Sequence, residues 1–199
     1  MVSAHNGKGL WAPLLGDELL RRIARLRLVI TDVDGVLTDG GIFFSETGEA
    51  LKRFSVRDGM GVERLREQGI ETAFLTRENS AIVARRAEKL AIRHCHLGVA
   101  DKRAFLPRLL EEAGVGDDEI AYIGDDVNDE EIMGVVAERG LIGAPLDAVP
   151  SVLRRAHYRC ALPGGCGAFR DFAEWILDLR SQSQVQIQQP STVRNKEVR

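Results

Sequence analysis

Two spacings of apolar residues alternate along the chain. In residues 17–27, Leu19, Leu20, Ile23 and Leu26 recur at helical intervals, which predicts a short amphipathic helix. The next residues, Leu28-Val29-Ile30-Thr31, form an apolar, β-branched run that leads into acidic residues and a glycine, the pattern of a buried strand entering a loop. The pairing then repeats, predicting a helix near 59–68, a strand at 71–76, a helix at 80–91, a short strand near 93–97, a helix at 101–113 and a strand at 119–126. Between the first strand and these elements, residues 41–56 read as two short strands around Glu46-Thr47-Gly48-Glu49, a hairpin placed to act as a flap. Alternating strands and helices predict an α/β fold with a parallel sheet covered on both faces, in which ligands bind beyond the carboxyl ends of the strands.

The tails change this picture little. Residues 1–27 read as an N-terminal extension with its short helix, 28–180 as the single domain, and 181–199, polar and glutamine-rich, as a tail without predicted structure. No apolar run approaches the roughly 18 residues needed to span a bilayer, and the first ten residues lack the features of a secretory signal, so the expectation is a cytoplasmic protein. Cys95, Cys160 and Cys166 are odd in number and lack CxxC spacing, which argues against a disulfide framework or a structural zinc site. His5, His94, His96 and His157 also lack metal-site spacing, although His94 and His96 would point alike on a strand. A formal charge of -3 supplies no basic field for nucleic acid.

The chemistry is concentrated at the predicted strand ends. Asp32 and Asp34 follow the first strand and precede Gly35. An aspartate in that position can attack phosphorus and form an aspartyl-phosphate, while its neighbour protonates the leaving group and later deprotonates water. Asp32 is the candidate nucleophile and Asp34 the candidate acid/base. Asp125, Asp126 and Asp129 close the strand at 119–126 and suit a hard cation such as Mg²⁺. Asp32, the backbone carbonyl of Asp34 and Asp125 would hold the ion, with Asp126 and Asp129 orienting those ligands. Lys102 offers a compact positive charge for phosphoryl oxygens and Thr76 a hydroxyl donor.

DVDGVLT at 32–38, Thr76, Lys102 and GDDVND at 124–129, in that order, resemble the four motifs of the haloacid dehalogenase superfamily, and the likeness spans roughly residues 28–178. RFSVRDGMG at 53–61 and GGCGAFRDF at 164–172 resemble its small capless branch, which dephosphorylates 3-deoxy-manno-octulosonate 8-phosphate and the related nonulosonate 9-phosphates. The resemblance implies a Rossmann-like, doubly wound, mostly parallel sheet with no large cap domain. It also implies Mg²⁺, a phosphorylated 2-keto-3-deoxy sugar acid as substrate, and a homotetramer in which neighbouring subunits help to close each site. Glu78, Arg86 and Lys89 match positions associated with recognising the longer sugar acid. Eleven residues are close to three helical turns, which would set Lys89 below Glu78 on a helix long enough to hold both. Arg77 stands where the branch has a glycine, and Cys166 where it often has a charged residue.

Other readings compete. The acidic segments taken singly read as solvated loops, Thr76 and Lys102 as surface residues, and Glu78, Arg86 and Lys89 as an exposed helix face. Arg57 and Asp58 read either as contacts to a substrate or neighbour or as a helix cap. Cys166 has no evident base and reads as structural. At the level of function, the alternatives are a catalytically weak binding or regulatory subunit and a receiver-like phosphoacceptor domain. The latter places its acidic pair and its phosphoacceptor on different strands, unlike Asp32 and Asp34.

Overall fold

A computed structural model describes residues 16–188, with side chains through 183. The chain runs α1 (Gly16–Arg25), β1 (Leu28–Thr31), β2 (Phe43–Ser45), β3 (Gly48–Leu51), α2 (Val56–Glu67), β4 (Glu71–Leu75), α3 (Ala81–Lys89), β5 (His94–His96) and α4 (Lys102–Ala113). It continues through β6 (Ile120–Ile123), a 3-10 turn at Val127–Asp129, α5 (Glu130–Arg139), β7 (Leu141–Ala144), α6 (Pro150–Arg155), β8 (Tyr158–Arg159) and α7 (Ala168–Gln188).

Six strands form one sheet in the order β5-β4-β1-β6-β7-β8, with every pairing parallel. The four central strands β4, β1, β6 and β7 bury both faces, and successive residues feed two separate cores. Val29, Phe74, Ala121, Ile123 and Leu141 point to one side, against Ile23 and Leu26, Val62 and Leu65, Val83 and Ala87, and Phe169, Phe172 and Ile176. Their neighbours Leu28, Ile30, Leu75, Ile120, Tyr122 and Ile142 point to the other, against Leu106, Leu109, Ile132, Met133, Val136 and Val152. Thus α1, α2, α3 and α7 cover one face, and α4, α5 and α6 the other. The period-two alternation of a strand explains the division. The chain winds outward from β1 through β4 to β5, then returns to β6 on the other side of β1. This reversal opens a crevice between the carboxyl ends of β1 and β6, where doubly wound sheets bind ligands.

The hairpin β2–β3 stands apart as its own two-stranded antiparallel sheet, with an irregularity in register between Phe43 and Phe44. Its length and position agree with the sequence reading.

Two boundaries are corrected. The helix in the segment expected to be an N-terminal extension belongs to the domain: Ile23 is fully buried, and the Arg22 guanidinium donates to the carbonyls of Ala137, Glu138 and Gly140 at 2.9, 3.0 and 2.8 Å. Those carbonyls end α5, where a cation satisfies acceptors that have no helical partner. At the other end, α7 continues through Gln188, so residues 181–188 are helical rather than part of an unstructured tail. Residues 1–15 and 189–199, which include His5 and the rest of that tail, lie outside the described residues.

Asp58 caps a helix, but not its own. Its buried carboxylate accepts from the backbone N–H of Arg170 at 3.0 Å, in the first turn of α7. Burial raises its proton affinity, while the α7 amides and Arg86 oppose that rise. A borrowed N-terminal acceptor of this kind joins α2 to α7 and contributes about 1 kcal/mol where helices have been measured.

Candidate active site

The loop after β1 is a tight turn in which the N–H groups of Val36, Leu37 and Thr38 converge on the Val33 carbonyl at 3.3, 2.9 and 3.1 Å. Val33 and Val36 are fully buried beneath it, which fixes the loop to the core. Gly35 has φ +86°, and a Cβ there would lie 2.0 Å from Asp125 Oδ2. Both the left-handed backbone and the closeness of the Asp125 carboxylate therefore require glycine. From the far side, the loop at 163–167 presses backbone against backbone: a Cβ on Gly164 would lie 2.0 Å from the Gly35 carbonyl oxygen, and Gly165 N–H donates to the Val36 carbonyl at 2.9 Å. Asp147 holds this second loop by accepting from Gly164 N–H at 2.9 Å.

Asp32 lies at the β1 end of the crevice and is only 4% exposed. Its Oδ1 accepts from Val33 N–H at 2.7 Å, and its Oδ2 lies 2.8 Å from Lys102 Nζ. Lys102 begins α4, is itself buried, and also donates to Asp129 Oδ1 at 2.6 Å. Asp129 is fully buried and fully engaged. Its Oδ1 also takes the Tyr122 hydroxyl at 2.7 Å, while Oδ2 takes the amides of Asp125 and Asp126 at 2.9 and 3.4 Å. Asp129 thus orients Lys102 and the backbone that carries Asp125. Asp126 is exposed, accepts from Val127 N–H at 2.7 Å, and forms a reciprocal cap with Asp129. It serves the turn that presents Asp129.

Carboxylate oxygens of Asp32, Asp125 and Asp129 fall within 4.8 Å of one another. Asp125 Oδ1 is buried without a hydrogen-bond partner. Burial, reinforced by the Asp129 charge and opposed by Lys102, pushes the Asp32 carboxyl up to about 7. Burial and the charges of Asp32, Asp129 and Asp126 push Asp125 up to about 8. One buried ammonium does not offset three converging carboxylates. A divalent cation would supply the missing charge and occupy the free Asp125 oxygen, so this oxygen-rich donor set fits a hard ion held by Asp32 and Asp125.

Asp34 is held from two directions. Its Oδ1 accepts from the Thr38 hydroxyl at 3.1 Å, and its Oδ2 lies 2.5 Å from Lys52 Nζ. Thr76 lies at the end of β4, fully within the protein, and its Oγ1 accepts from Glu78 N–H at 3.2 Å. That bond leaves the hydroxyl proton free to donate. Lys52, Thr38 and Tyr122 escaped the sequence reading. Thr38 was visible within DVDGVLT, but nothing in spacing marks Lys52, which reaches Asp34 only because the hairpin folds back over the loop.

The three residues expected to read the sugar do not form a set within the protomer. Helix α3 begins at Ala81 behind the Ser80 cap, so Glu78 precedes the helix and the eleven-residue spacing does not stack it over Lys89. Glu78 and Lys89 are exposed. Arg86 instead packs α3 onto the start of α2: it donates to the Ser55 carbonyl at 3.0 Å and lies 5.5 Å above the Phe54 ring. Arg77 is exposed beside Glu78. Cys166 Sγ lies 3.5 Å from an Arg53 nitrogen, and Arg53 also pairs with Asp39 at 2.9 Å.

Away from the crevice, Glu112 joins His94 and His96, with His96 Nε2 3.5 Å from Glu112 Oε2. Arg108 donates to the other Glu112 oxygen at 2.8 Å, and His96 packs 4.8 Å from the Phe105 ring centroid. The Arg108 guanidinium thus already pairs with the carboxylate of this cluster.

No protein-family model matches the chain. It is 39% identical over 163 residues to the 3-deoxy-D-manno-octulosonate 8-phosphate phosphatase of Yersinia pestis, covering 82% of this chain and 86% of that one. It is similar to a haloacid dehalogenase superfamily hydrolase of subfamily III A from Legionella pneumophila, with a TM-score of 0.76 and 39% identity over 86% of this chain and 93% of that one. It is also similar to the Moraxella catarrhalis 3-deoxy-D-manno-octulosonate 8-phosphate phosphatase solved with magnesium, phosphate and the sugar acid. There the TM-score is 0.77 and identity 32%, covering 86% of this chain and 97% of that one.

Proposed function

The chain belongs to the 3-deoxy-D-manno-octulosonate 8-phosphate phosphatase family of the haloacid dehalogenase superfamily; from that membership we propose that it hydrolyses 3-deoxy-D-manno-octulosonate 8-phosphate through an aspartyl-phosphate on Asp32. The observation that carries the mechanism is the contact of Asp32 Oδ2 with Lys102, 2.8 Å away in a buried crevice beside Asp125. Mg²⁺, when bound, supplies the positive charge that lets a phosphate dianion enter among carboxylates.

Asp32 attacks phosphorus as the bond to the sugar oxygen breaks, and Asp34 gives that oxygen its proton. Asp34 then takes a proton from the water that attacks the phosphoryl group and releases Asp32. Lys102 and the Thr76 hydroxyl donate to the phosphoryl oxygens, while Asp129 and Tyr122 keep the Lys102 ammonium in place. Phosphate release from octulosonate 8-phosphate, nonulosonate 9-phosphate and hexose phosphates tests the substrate. The expected result is at least a 10-fold preference in kcat/KM for the eight-carbon acid, a margin worth about 1.4 kcal/mol; a preference for the nine-carbon acid would reassign it.

The assembly implied by the resemblance is a homotetramer. Supporting it, the hairpin exposes Phe43, Phe44 and Leu51 at 63%, 73% and 64%, with Val56 and Met60 exposed on α2. Such an apolar surface suits a second copy that would roof the crevice. Phe43→Glu with Phe44→Glu is expected to give a folded, smaller species by sedimentation that has lost most activity on the sugar phosphate. Fully active monomers would refute this. The free thiols Cys95, Cys160 and Cys166 support a reducing, cytoplasmic setting, and among the described residues no helix is long and apolar enough to cross a membrane.

A further inference from the structure

Lys52 is a buried cation outside every motif that the sequence singles out. Its side chain is 0% exposed, yet it belongs to the short segment that leaves the hairpin. It makes two ion pairs, 2.5 Å to Asp34 Oδ2 and 3.1 Å to Glu49 Oε1. Glu49 lies on β3, and its other oxygen accepts from the Ser80 hydroxyl. Ser80 is the N-cap of α3 and accepts from Val83 N–H at 3.3 Å. A continuous polar chain therefore runs Asp34, Lys52, Glu49, Ser80. It joins the Asp32 loop, the hairpin and the end of the loop that follows Thr76.

Burying an ammonium is costly unless it is paired, so these partners are what allow Lys52 to sit there. For Asp34 the consequence is directional. Thr38 engages one carboxylate oxygen and Lys52 the other, so the carboxyl plane is fixed by one group from its own loop and one from the hairpin. A catalytic acid must lie within hydrogen-bond reach of the oxygen it protonates, and a rotated carboxyl loses that reach.

We infer that Lys52 is a positioning residue for Asp34, and that through Glu49 and Ser80 it makes the aim of the acid/base depend on the seating of the hairpin. The inference rests on the assignment of Asp34 as acid/base. A flap seated elsewhere would leave Asp34 with Thr38 alone, so hairpin docking and proton transfer are linked through a single ammonium.

The test uses two esters that differ in their need for an acid. The alkoxide leaving octulosonate 8-phosphate requires a proton, whereas the phenolate leaving p-nitrophenyl phosphate requires little assistance. Because kcat/KM reports events through departure of the first leaving group, it isolates this step. Lys52→Met is expected to lower kcat/KM about 100-fold on the sugar phosphate and less than about 5-fold on the aryl ester. Lys52→Arg should recover part of the loss, and Glu49→Gln should show the same ester selectivity at smaller size. Added to Asp34→Asn, Lys52→Met should change kcat/KM by less than about 2-fold, since both changes remove one function.

Equal losses on the two esters, or effects that multiply in the double variant, would overturn the inference and make Lys52 a binding or structural residue. If Asp34→Asn alone shows no ester selectivity, the acid/base assignment has failed and the inference fails with it. Thermal unfolding checks each variant. Should Lys52→Met unfold, Lys52→Arg and Glu49→Gln decide: loss of activity on both esters alike in folded protein refutes the positioning role.

Discussion

Asp32→Asn is expected to lower kcat on the sugar phosphate by roughly 10⁴-fold or more while raising the melting temperature of the metal-free protein. The two effects have one source. An asparagine amide occupies nearly the same space but cannot attack phosphorus, so the covalent route is lost. The carboxylate it replaces is almost fully buried, with its proton affinity pushed up to about 7 from an ordinary 3.8. A folded-state value above the unfolded one means that the folded protein prefers the neutral group. Ionised Asp32 therefore destabilises the fold increasingly as pH rises through that window, and the cost is fully present above about 7. The neutral amide removes it, while Lys102 keeps its 2.6 Å partner Asp129. Phosphate release and thermal unfolding at pH 7.5 in EDTA measure both. Lost activity with an unchanged or lowered melting temperature would keep Asp32 as nucleophile but refute the electrostatic account. Retained activity would refute the nucleophile itself.

How much of this was legible in the sequence differs by element. The central strands β1, β4 and β6 were readable because each carries an apolar run ending in a polar cluster, and Asp32, Thr76 and Asp125 lie at those ends. Beyond Asp126 no element was predicted: β7 contains a glycine and runs on into Pro145 and Leu146 without a polar cluster, β8 has two residues, and the polar last turns of α7 read as a tail. The site was legible where one segment carries its chemistry. It was not legible where the partner comes from elsewhere: Lys52 reaches Asp34 from the hairpin, Tyr122 reaches Asp129 across the strand end, and Asp58 caps α7. The condition for stacking Glu78 over Lys89, a helix long enough to hold both, is not met for a local reason. Ser80 satisfies the first turn of α3, so the helix starts after Glu78.

Chelation with EDTA is expected to abolish turnover, and Mg²⁺ to raise the melting temperature by an amount that grows with pH. Asp32 and Asp125 have proton affinities raised to about 7 and about 8, both above an ordinary 3.8. From about pH 4 to 8 the metal-free folded state therefore binds more protons than the unfolded state, and its stability falls as pH rises. This is opposite to the trend for carboxylates stabilised by salt bridges. A cation held by both groups requires their ionised forms, so its binding releases protons and strengthens up to about pH 8. At 100 times its dissociation constant a ligand stabilises the folded state by about 2.7 kcal/mol, or roughly 5–10 °C for a chain of this size. Melting curves from pH 5 to 9, with EDTA or Mg²⁺, should therefore diverge toward alkaline pH, and Asp125→Asn should bring the two series together. Parallel series in the parent protein would place the cation elsewhere; divergence that survives in Asp125→Asn would remove Asp125 from its ligands. Because the same carboxylates both repel one another and attract the ion, the instability of the empty crevice and its affinity for a divalent cation are two readings of one charge arrangement.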